Sequence, residues 1–159
     1  MMAAISPMTR AVVMTGYSNH ARTITLERRA NSAVLPNRPD AGGYCPPSPQ
    51  GVIRACGTDA DIAALTAALS ASGIDADVSD DAGSYVCNHL YHAALTGPCA
   101  LPDGPLGLFV HLPALPGTEL AATASGTMHL AAMQRALGVI ARELLAVNTL
   151  SDSSALSGQ

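Results

Sequence analysis

Short apolar runs alternate along the chain with segments of helical periodicity. The run AVVM at residues 11–14 ends at a Thr-Gly pair and predicts a buried strand that leads into a loop. The run LGLFVHL at residues 106–112 predicts a second buried strand for the same reason. Residues 74–78, IDADV, alternate apolar and acidic side chains, which is typical of a half-exposed or edge strand. Residues 17–34 suggest one further short extended segment.

The first helical segment has recognisable start and stop signals. Thr58 or Asp59 is expected to cap it, and Asp61 falls in its first turn, where the helix dipole favours an anion. Gly73 marks its C-terminal end. One face of this helix is apolar and predicts packing against a core, through Ile62, Leu65 and Leu69.

Two more helices follow. One is expected from about Ser84 to residue 95, with Ser84 as its N-cap. The last is expected to start near Ser125, because apolar residues then recur at helical spacing, at Leu130, Met133, Leu137, Ile140 and Leu144.

The alternation of strands and helices predicts an α/β fold with helices packed on a mostly parallel sheet. Residues 35–51 contain five prolines and three glycines and therefore predict a long loop, of the kind that often acts as a lid or binding loop. We expect a flexible N-terminus at residues 1–10, a single domain at 11–148 and a disordered tail at 149–159.

The composition argues against several classes of protein, including those that bind nucleic acid or membranes. Of the 159 residues 48% are apolar, which is enough for a core, although that core contains one Phe and no Trp. The formal net charge is -4 and no basic cluster is present, which argues against nucleic acid and against an anionic membrane surface. No apolar run approaches the roughly 18 residues of a membrane-spanning helix. The start lacks a signal-peptide pattern, so we expect a cytoplasmic protein with reduced thiols.

The strongest candidate for chemistry is Cys87. With Ser84 as the N-cap, Cys87 would be the third helical residue, where free backbone N–H groups and the helix dipole favour the thiolate. The alternative is a small buried residue that packs the helix onto the sheet, which is the common role of a free cysteine. The four cysteines form no C-x-x-C pair, so no structural zinc or other metal site is expected.

Two further residues could complete a catalytic set with Cys87. His111 ends the strand at 106–112, and we expect it at the same carboxyl edge of the sheet as Cys87, where it could act as a base. Its alternative role is a polar residue that ends a strand. Glu27 could orient the imidazole, or it could form a surface salt bridge with the arginines around it, Arg22, Arg28 and Arg29. His89 and His92 lack a nearby carboxylate to complete a metal site and are expected to face solvent.

Three blocks in order resemble the pyroglutamyl peptidase I family, also called pyrrolidone-carboxylate peptidases, which are cysteine peptidases. The first is a glycine loop followed by the family's pattern R-x-x-I-x-x-E-R-x-A-x-N, here at Gly16 to Asn31. The second is S-x-x-A-G-[ST]-[FY]-[VL]-C-N, here at Ser79 to Asn88. The third is F-[IV]-H-[VIL]-P, which starts here at Phe109. The resemblance covers about residues 11–147.

The resemblance implies removal of an N-terminal pyroglutamyl residue from peptides, without a cofactor. It implies Cys87 as the nucleophile, His111 as the general base and then acid, and Glu27 as the residue that orients His111. It also implies that Tyr85 helps hold the lactam ring and that Arg38 contributes to substrate binding. The implied fold is a three-layer sandwich, and family members often form tetramers.

The chain departs from the family pattern at several positions. The family's first strand, G-F-x-P-F-G-type loop and first helix have no counterpart here, and that loop helps form the lactam pocket. Arg38 is displaced by one position relative to the family's arginine in A-R-I-P-D, and Asn31 comes one position early.

Two alternative functions therefore remain open. The first is an inactive homologue that keeps the three residues and acts as a binding or vestigial protein. The second is another cysteine hydrolase, similar to glutamine amidotransferases, in which the cysteine lies between glycines. Here Val86 and Asn88 flank Cys87, which argues against the second alternative.

Overall fold

The computed structural model describes residues 6, 8–47 and 52–155. These described residues form nine helices and strands, and two short 3-10 helices lie at Pro98–Ala100 and Glu119–Ala122. In chain order they are β1 Ala11–Tyr17, β2 Ile24–Glu27, β3 Arg29–Asn31, β4 Ala55–Gly57, α1 Ile62–Ala71, β5 Ala76–Ser79, α2 Val86–Thr96, β6 Leu106–Leu112 and α3 Leu130–Ala155. In the described part of the chain, no helix is both long and apolar enough to cross a membrane.

A four-stranded sheet in the order β1-β6-β2-β5 forms the centre of the fold. β1 runs parallel to β6 and β2 runs parallel to β5, whereas β2 and β6 are antiparallel. Two of the three strand pairs are therefore parallel, which confirms an α/β fold with a mostly parallel sheet. β3 and β4 form a separate antiparallel pair.

The two faces of the sheet are covered by different helices. Successive residues of a strand point to opposite faces, so β6 places Leu108 and Val110 on one side and Phe109 and His111 on the other. One core cluster joins Leu108 and Val110 to α1 and α3. The other joins Phe109 to α2 and to β1. The helices therefore form two layers around the sheet, as the three-layer arrangement requires.

α1 begins later than the sequence pattern predicts. Asp61, rather than Thr58 or Asp59, is its N-cap, and the Asp61 carboxylate accepts a 3.0 Å hydrogen bond from the backbone N–H of Ala64. Thr58 instead donates its hydroxyl to the carbonyl of Gly107. Gly73 follows the helix in the left-handed region at φ 69°, which confirms the predicted stop.

Ser84 is not the cap of α2. Tyr85 occupies that position with an extended backbone, and no side chain caps the helix. Because the backbone of Tyr85 is extended, the first helical residue is Val86. Cys87 is therefore the second residue of the helix rather than the third. Cys87 still lies in the first turn, where the N–H groups lack acceptors within the helix.

Several strands and helices begin or end at residues other than those predicted from the sequence, because pairing with another strand decides where they end. β1 continues to Tyr17, since its register with β6 holds as far as the pair of Tyr17 and Leu112. The extended segment expected at 17–34 is two strands, β2 and β3. α3 begins at Leu130 rather than near Ser125, because residue 127 still forms a bridge with Ala114. α3 also continues through residues 149–155, which were expected in the tail, and residues 156–159 lie outside the described residues.

Candidate active site

The pairing of β2 with β6 brings Glu27 to His111. Glu27 lies opposite Phe109 in this antiparallel ladder and Thr25 lies opposite His111, so Glu27 and His111 are diagonal neighbours on one face. The Nδ1 atom of His111 is 2.7 Å from Oε1 of Glu27. Both side chains are buried, with 2% of Glu27 and 8% of His111 exposed. This geometry orients the imidazole and leaves its Nε2 atom for another partner.

Cys87 is the second neighbour of His111. The thiol approaches the sheet from the first turn of α2, and its proximity is one of the causes that raise the pKa of His111. On the other side Cys87 contacts β1, where a β-carbon at Gly16 would lie 2.8 Å from the Cys87 Sγ atom. Gly16 is paired with His111 in the β1–β6 register. The three predicted residues Glu27, Cys87 and His111 therefore come together on one face of the sheet.

Two neighbours, Cys87 and Glu27, decide the pKa of His111. Burial lowers this pKa, but the interactions of the imidazole with Cys87 and with Glu27 outweigh the effect of burial. The net result is a His111 pKa raised to about 9. His111 is therefore an imidazolium at neutral pH, the form that stabilises a neighbouring thiolate.

The expectation that Cys87 and His111 meet at one carboxyl edge of the sheet is wrong. β2 and β5 run antiparallel to β6, so the carboxyl ends of β5 and β6 point to opposite edges. The chain leaves β5 at Ser79 and α2 then packs across the face of the sheet, in contact with β6, β3 and β1. The residues meet on the face of the sheet because α2 carries Cys87 there.

Glu27 is also not part of a surface salt bridge. Arg28 and Arg29 both pair with the exposed carboxylate of Asp80 instead, Arg29 at 3.8 Å. Alternation along β2 turns Glu27 inward beside His111. Its second oxygen, Oε2, is buried and has no hydrogen-bond partner among the described residues.

The other thiols and histidines lie in different settings. Burial raises the pKa of Cys56, whose Sγ atom is 3.7 Å from the carbonyl of Ala30, and burial also raises that of Cys99. Cys45 is exposed. His89 is exposed and His92 is half-buried. Among the described residues, no three His, Cys, Asp or Glu side chains are grouped so that they could hold a metal ion.

Tyr85 and Arg38 meet beside the start of α2. The guanidinium carbon of Arg38 lies 4.4 Å from the centre of the Tyr85 ring, and the Tyr85 hydroxyl donates to the carbonyl of Pro39. Together they line a cavity of about 140 Å³. The cavity reaches α2 at Val86, next to Cys87, and its remaining lining includes Val34, Leu35 and His89.

Asn88 is a site residue that the sequence analysis did not single out. It is fully buried and holds the loop after β3 against α2. Its Oδ1 accepts from the N–H of Asn31 at 2.9 Å, and its Nδ2 donates to the carbonyls of Asn31 at 2.9 Å and Ala33 at 3.1 Å. In the sequence, only its position directly after Cys87 indicated that Asn88 belongs to the site. Its hydrogen-bond partners are more than 50 residues away, and no local pattern predicts them.

A cysteine close to a histidine that is itself hydrogen-bonded to a carboxylate is the arrangement that enzymes use to activate a thiol nucleophile. Residues 2–147 match the family of pyroglutamyl peptidases, and the chain belongs to that family.

Curated relatives and solved structures agree with this assignment. The pyrrolidone-carboxylate peptidase of Escherichia fergusonii is 33% identical over 138 residues, which cover 84% of this chain and 63% of the relative. That of Cupriavidus necator is 35% identical over 99 residues, or 62% of this chain and 45% of the relative. The crystal structure of pyroglutamyl peptidase I from Bacillus amyloliquefaciens superposes with a TM-score of 0.73 at 28% identity, covering 83% of this chain and 64% of that one. The chain thus spans between about half and two thirds of the length of these proteins.

Proposed function

We propose that this protein is a cysteine peptidase that removes an N-terminal pyroglutamyl residue from peptides. The observation that carries the proposal is the hydrogen bond of His111 to Glu27, with the Cys87 thiol beside Gly16, the residue paired with His111. Family membership supplies the substrate class, because the names of the relatives describe pyrrolidone-carboxylate peptidases.

In the proposed reaction the Cys87 thiolate attacks the carbonyl carbon that joins the lactam residue to the next amino acid. The backbone N–H groups in the first turn of α2 are suited to stabilise the resulting oxyanion. The His111 imidazolium then gives its proton to the leaving amine, and a thioester to Cys87 remains. His111, now neutral, takes a proton from water as the water oxygen attacks the thioester carbonyl. The bond to sulfur then breaks, which releases pyroglutamate and restores the Cys87 thiolate beside the His111 imidazolium. Glu27 keeps the imidazole oriented through both steps.

The cavity next to Cys87 is the proposed substrate contact. The Tyr85 ring offers an apolar face of the size of a lactam ring, and Arg38 stacks on that ring from the loop at residues 35–47. Both residues are proposed to bind substrate rather than to take part in bond making.

The direct test is fluorophore release from a pyroglutamyl-amide substrate by the purified chain. We expect turnover that disappears in Cys87→Ala and falls to nearly the same level in His111→Ala. Cys45→Ala, which changes an exposed thiol away from the site, is the matched control and should retain wild-type turnover. Activity that survives in Cys87→Ala would refute the mechanism.

The second candidate is a homologue that keeps the three residues without hydrolysing pyroglutamyl peptides. The size of the cavity favours it, since about 140 Å³ is below the roughly 300–1,000 Å³ of ordinary ligand pockets. A folded wild-type protein whose Cys87 reacts rapidly with iodoacetamide, but which releases no fluorophore, would support this candidate over the peptidase.

A further inference from the structure

Tyr91 connects the helix that carries Cys87 to the strand that carries Glu27. Its side chain is completely buried, and its hydroxyl donates a 2.8 Å hydrogen bond to the main-chain carbonyl of Glu27. Tyr91 follows Cys87 by four residues, so both side chains project from the same side of α2. This bond fixes the distance between α2 and β2 at the residue whose carboxylate holds His111.

The Tyr91 ring packs against Phe109, which in turn contacts His111. The Tyr91 ring lies 5.8 Å from the ring of Phe109, and the Phe109 ring lies 5.0 Å from the imidazole of His111. Burial raises the pKa of Tyr91 above its ordinary value, so the phenol remains a donor throughout the pH range of interest.

We propose that Tyr91 is a positioning residue, which holds Glu27 against His111 at the spacing from Cys87 that thiol activation requires. The inference rests on the proposed roles of Cys87, His111 and Glu27. Tyr91 touches none of the reacting atoms and acts through the backbone of Glu27. A residue that only filled the core would stabilise the fold without affecting the reactivity of Cys87, and the two roles can therefore be separated.

The test is Tyr91→Phe, which keeps the ring on Phe109 and removes the hydroxyl. The rate of Cys87 alkylation by iodoacetamide is measured from pH 5 to 10, with the modified residue identified by peptide mapping. We expect the rate near pH 6.5 to fall about threefold to tenfold, the effect of one lost hydrogen bond, and the acid limb of the profile to move to higher pH. The reason is that a displaced Glu27 stabilises the imidazolium less, so the thiolate forms only at higher pH.

Turnover of the pyroglutamyl-amide substrate supplies a second readout. We expect kcat to fall by a similar factor while KM stays unchanged, because Tyr91 does not line the cavity beside Tyr85. Alkylation needs no substrate, so a shifted alkylation profile in a protein without turnover would support the role of Tyr91 while refuting the peptidase proposal.

Leu69→Ala is the matched control. Leu69 is buried in the core cluster on the opposite face of the sheet, so its truncation lowers stability without touching Tyr91 or Glu27. Its alkylation profile should match that of the wild type. A Tyr91→Phe protein that is less stable but has an unchanged profile would overturn the inference. If Tyr91→Phe unfolds in dilute buffer, its profile is measured with sulfate added to stabilise the fold, beside the wild type in the same buffer. A shift in the same direction supports the inference, and an unchanged profile overturns it.

Discussion

At the scale of the residue, Gly16 shows how little space surrounds the thiol. A β-carbon on Gly16 would lie 2.8 Å from the Cys87 Sγ atom and 3.0 Å from Cζ of Phe109. Carbon atoms do not approach sulfur that closely without displacement, and the Phe109 ring is buried and cannot move away. The absence of a side chain at position 16 is therefore a requirement of the site.

Gly16→Ala should lower turnover of the pyroglutamyl-amide substrate at least about tenfold, because the added methyl group pushes the Cys87 sulfur away from His111. The matched control is Gly138→Ala in α3, where the nearest atom to the new methyl group is an Arg142 nitrogen at 3.9 Å. That variant should keep full activity. Wild-type activity in Gly16→Ala would contradict the close contact between β1 and Cys87.

The charge of His111 makes stability depend on pH. Its pKa is about 9 in the folded protein against 6.5 for the ordinary side chain, so the stabilisation is complete below about pH 6.5 and is lost as the pH rises through about 9. The shift corresponds to a stabilisation on the order of 3 kcal/mol. Between these pH values, the free energy of unfolding of the wild type should decline relative to that of Glu27→Gln, which lacks the carboxylate charge.

Urea unfolding at pH 6, 7, 8 and 9 measures this difference. Asp80→Asn is the control, because Asp80 pairs with Arg28 and Arg29 at the surface and not with His111. Its pH dependence should run parallel to that of the wild type in this range. Parallel curves for the wild type and Glu27→Gln would mean that His111 and Glu27 do not form a charged pair.

At the scale of the element, α2 is the part of the fold that assembles the site. It carries Cys87 toward the sheet, and Asn88 attaches its first turn to the loop after β3. That loop leads into residues 35–47, which contribute Arg38 to the cavity. The position of the nucleophile and the position of the proposed binding loop therefore depend on one buried amide.

Asn88→Ala should lower the free energy of unfolding by about 1–3 kcal/mol, because it leaves the N–H of Asn31 and the carbonyl of Ala33 without their partner. It should also raise KM, since the loop that carries Arg38 is no longer fixed. Urea unfolding and steady-state kinetics measure both effects, and Asn37→Ala, at an exposed position in the same loop, is the control. An unchanged KM would separate the Asn88 contacts from substrate binding.

At the scale of the whole molecule, the sheet separates a structural face from a functional face. The cluster with α1 and α3 contains only apolar side chains, such as Ile140 and Leu108. The cluster with α2 contains Phe109 and Tyr91 and adjoins Glu27, His111 and Cys87. Changes on the two faces should therefore have different consequences.

Ile140→Ala should destabilise the fold by about 2–5 kcal/mol, as expected for a large buried side chain replaced by a small one. Under conditions where the variant is folded, its rate of Cys87 alkylation should equal that of the wild type. Phe109→Leu, in the ring contact with His111, should change both quantities. Slower alkylation in Ile140→Ala would show that the two faces are coupled through the sheet.

The sequence was sufficient for features that depend on neighbouring residues. The apolar runs located β1 and β6, and helical periodicity located α1 and α3, because burial of one face imposes a local repeat. The blocks around Glu27, Cys87 and His111 indicated the family, and the match over residues 2–147 confirms it. Local patterns could not define the boundaries of α2 and α3, where backbone conformation and a distant bridge decided the first residue.

Only the tertiary structure decided how the candidate residues meet. Glu27 and His111 are 84 residues apart and become neighbours because β2 and β6 pair in one antiparallel register. The same pairing places the site on the face of the sheet, and the β1–β6 register sets Gly16 against Cys87. Strand direction and register follow from the packing of all the elements together. A periodic pattern within one segment predicts which of its faces is buried, but it does not predict which distant strand will lie beside it.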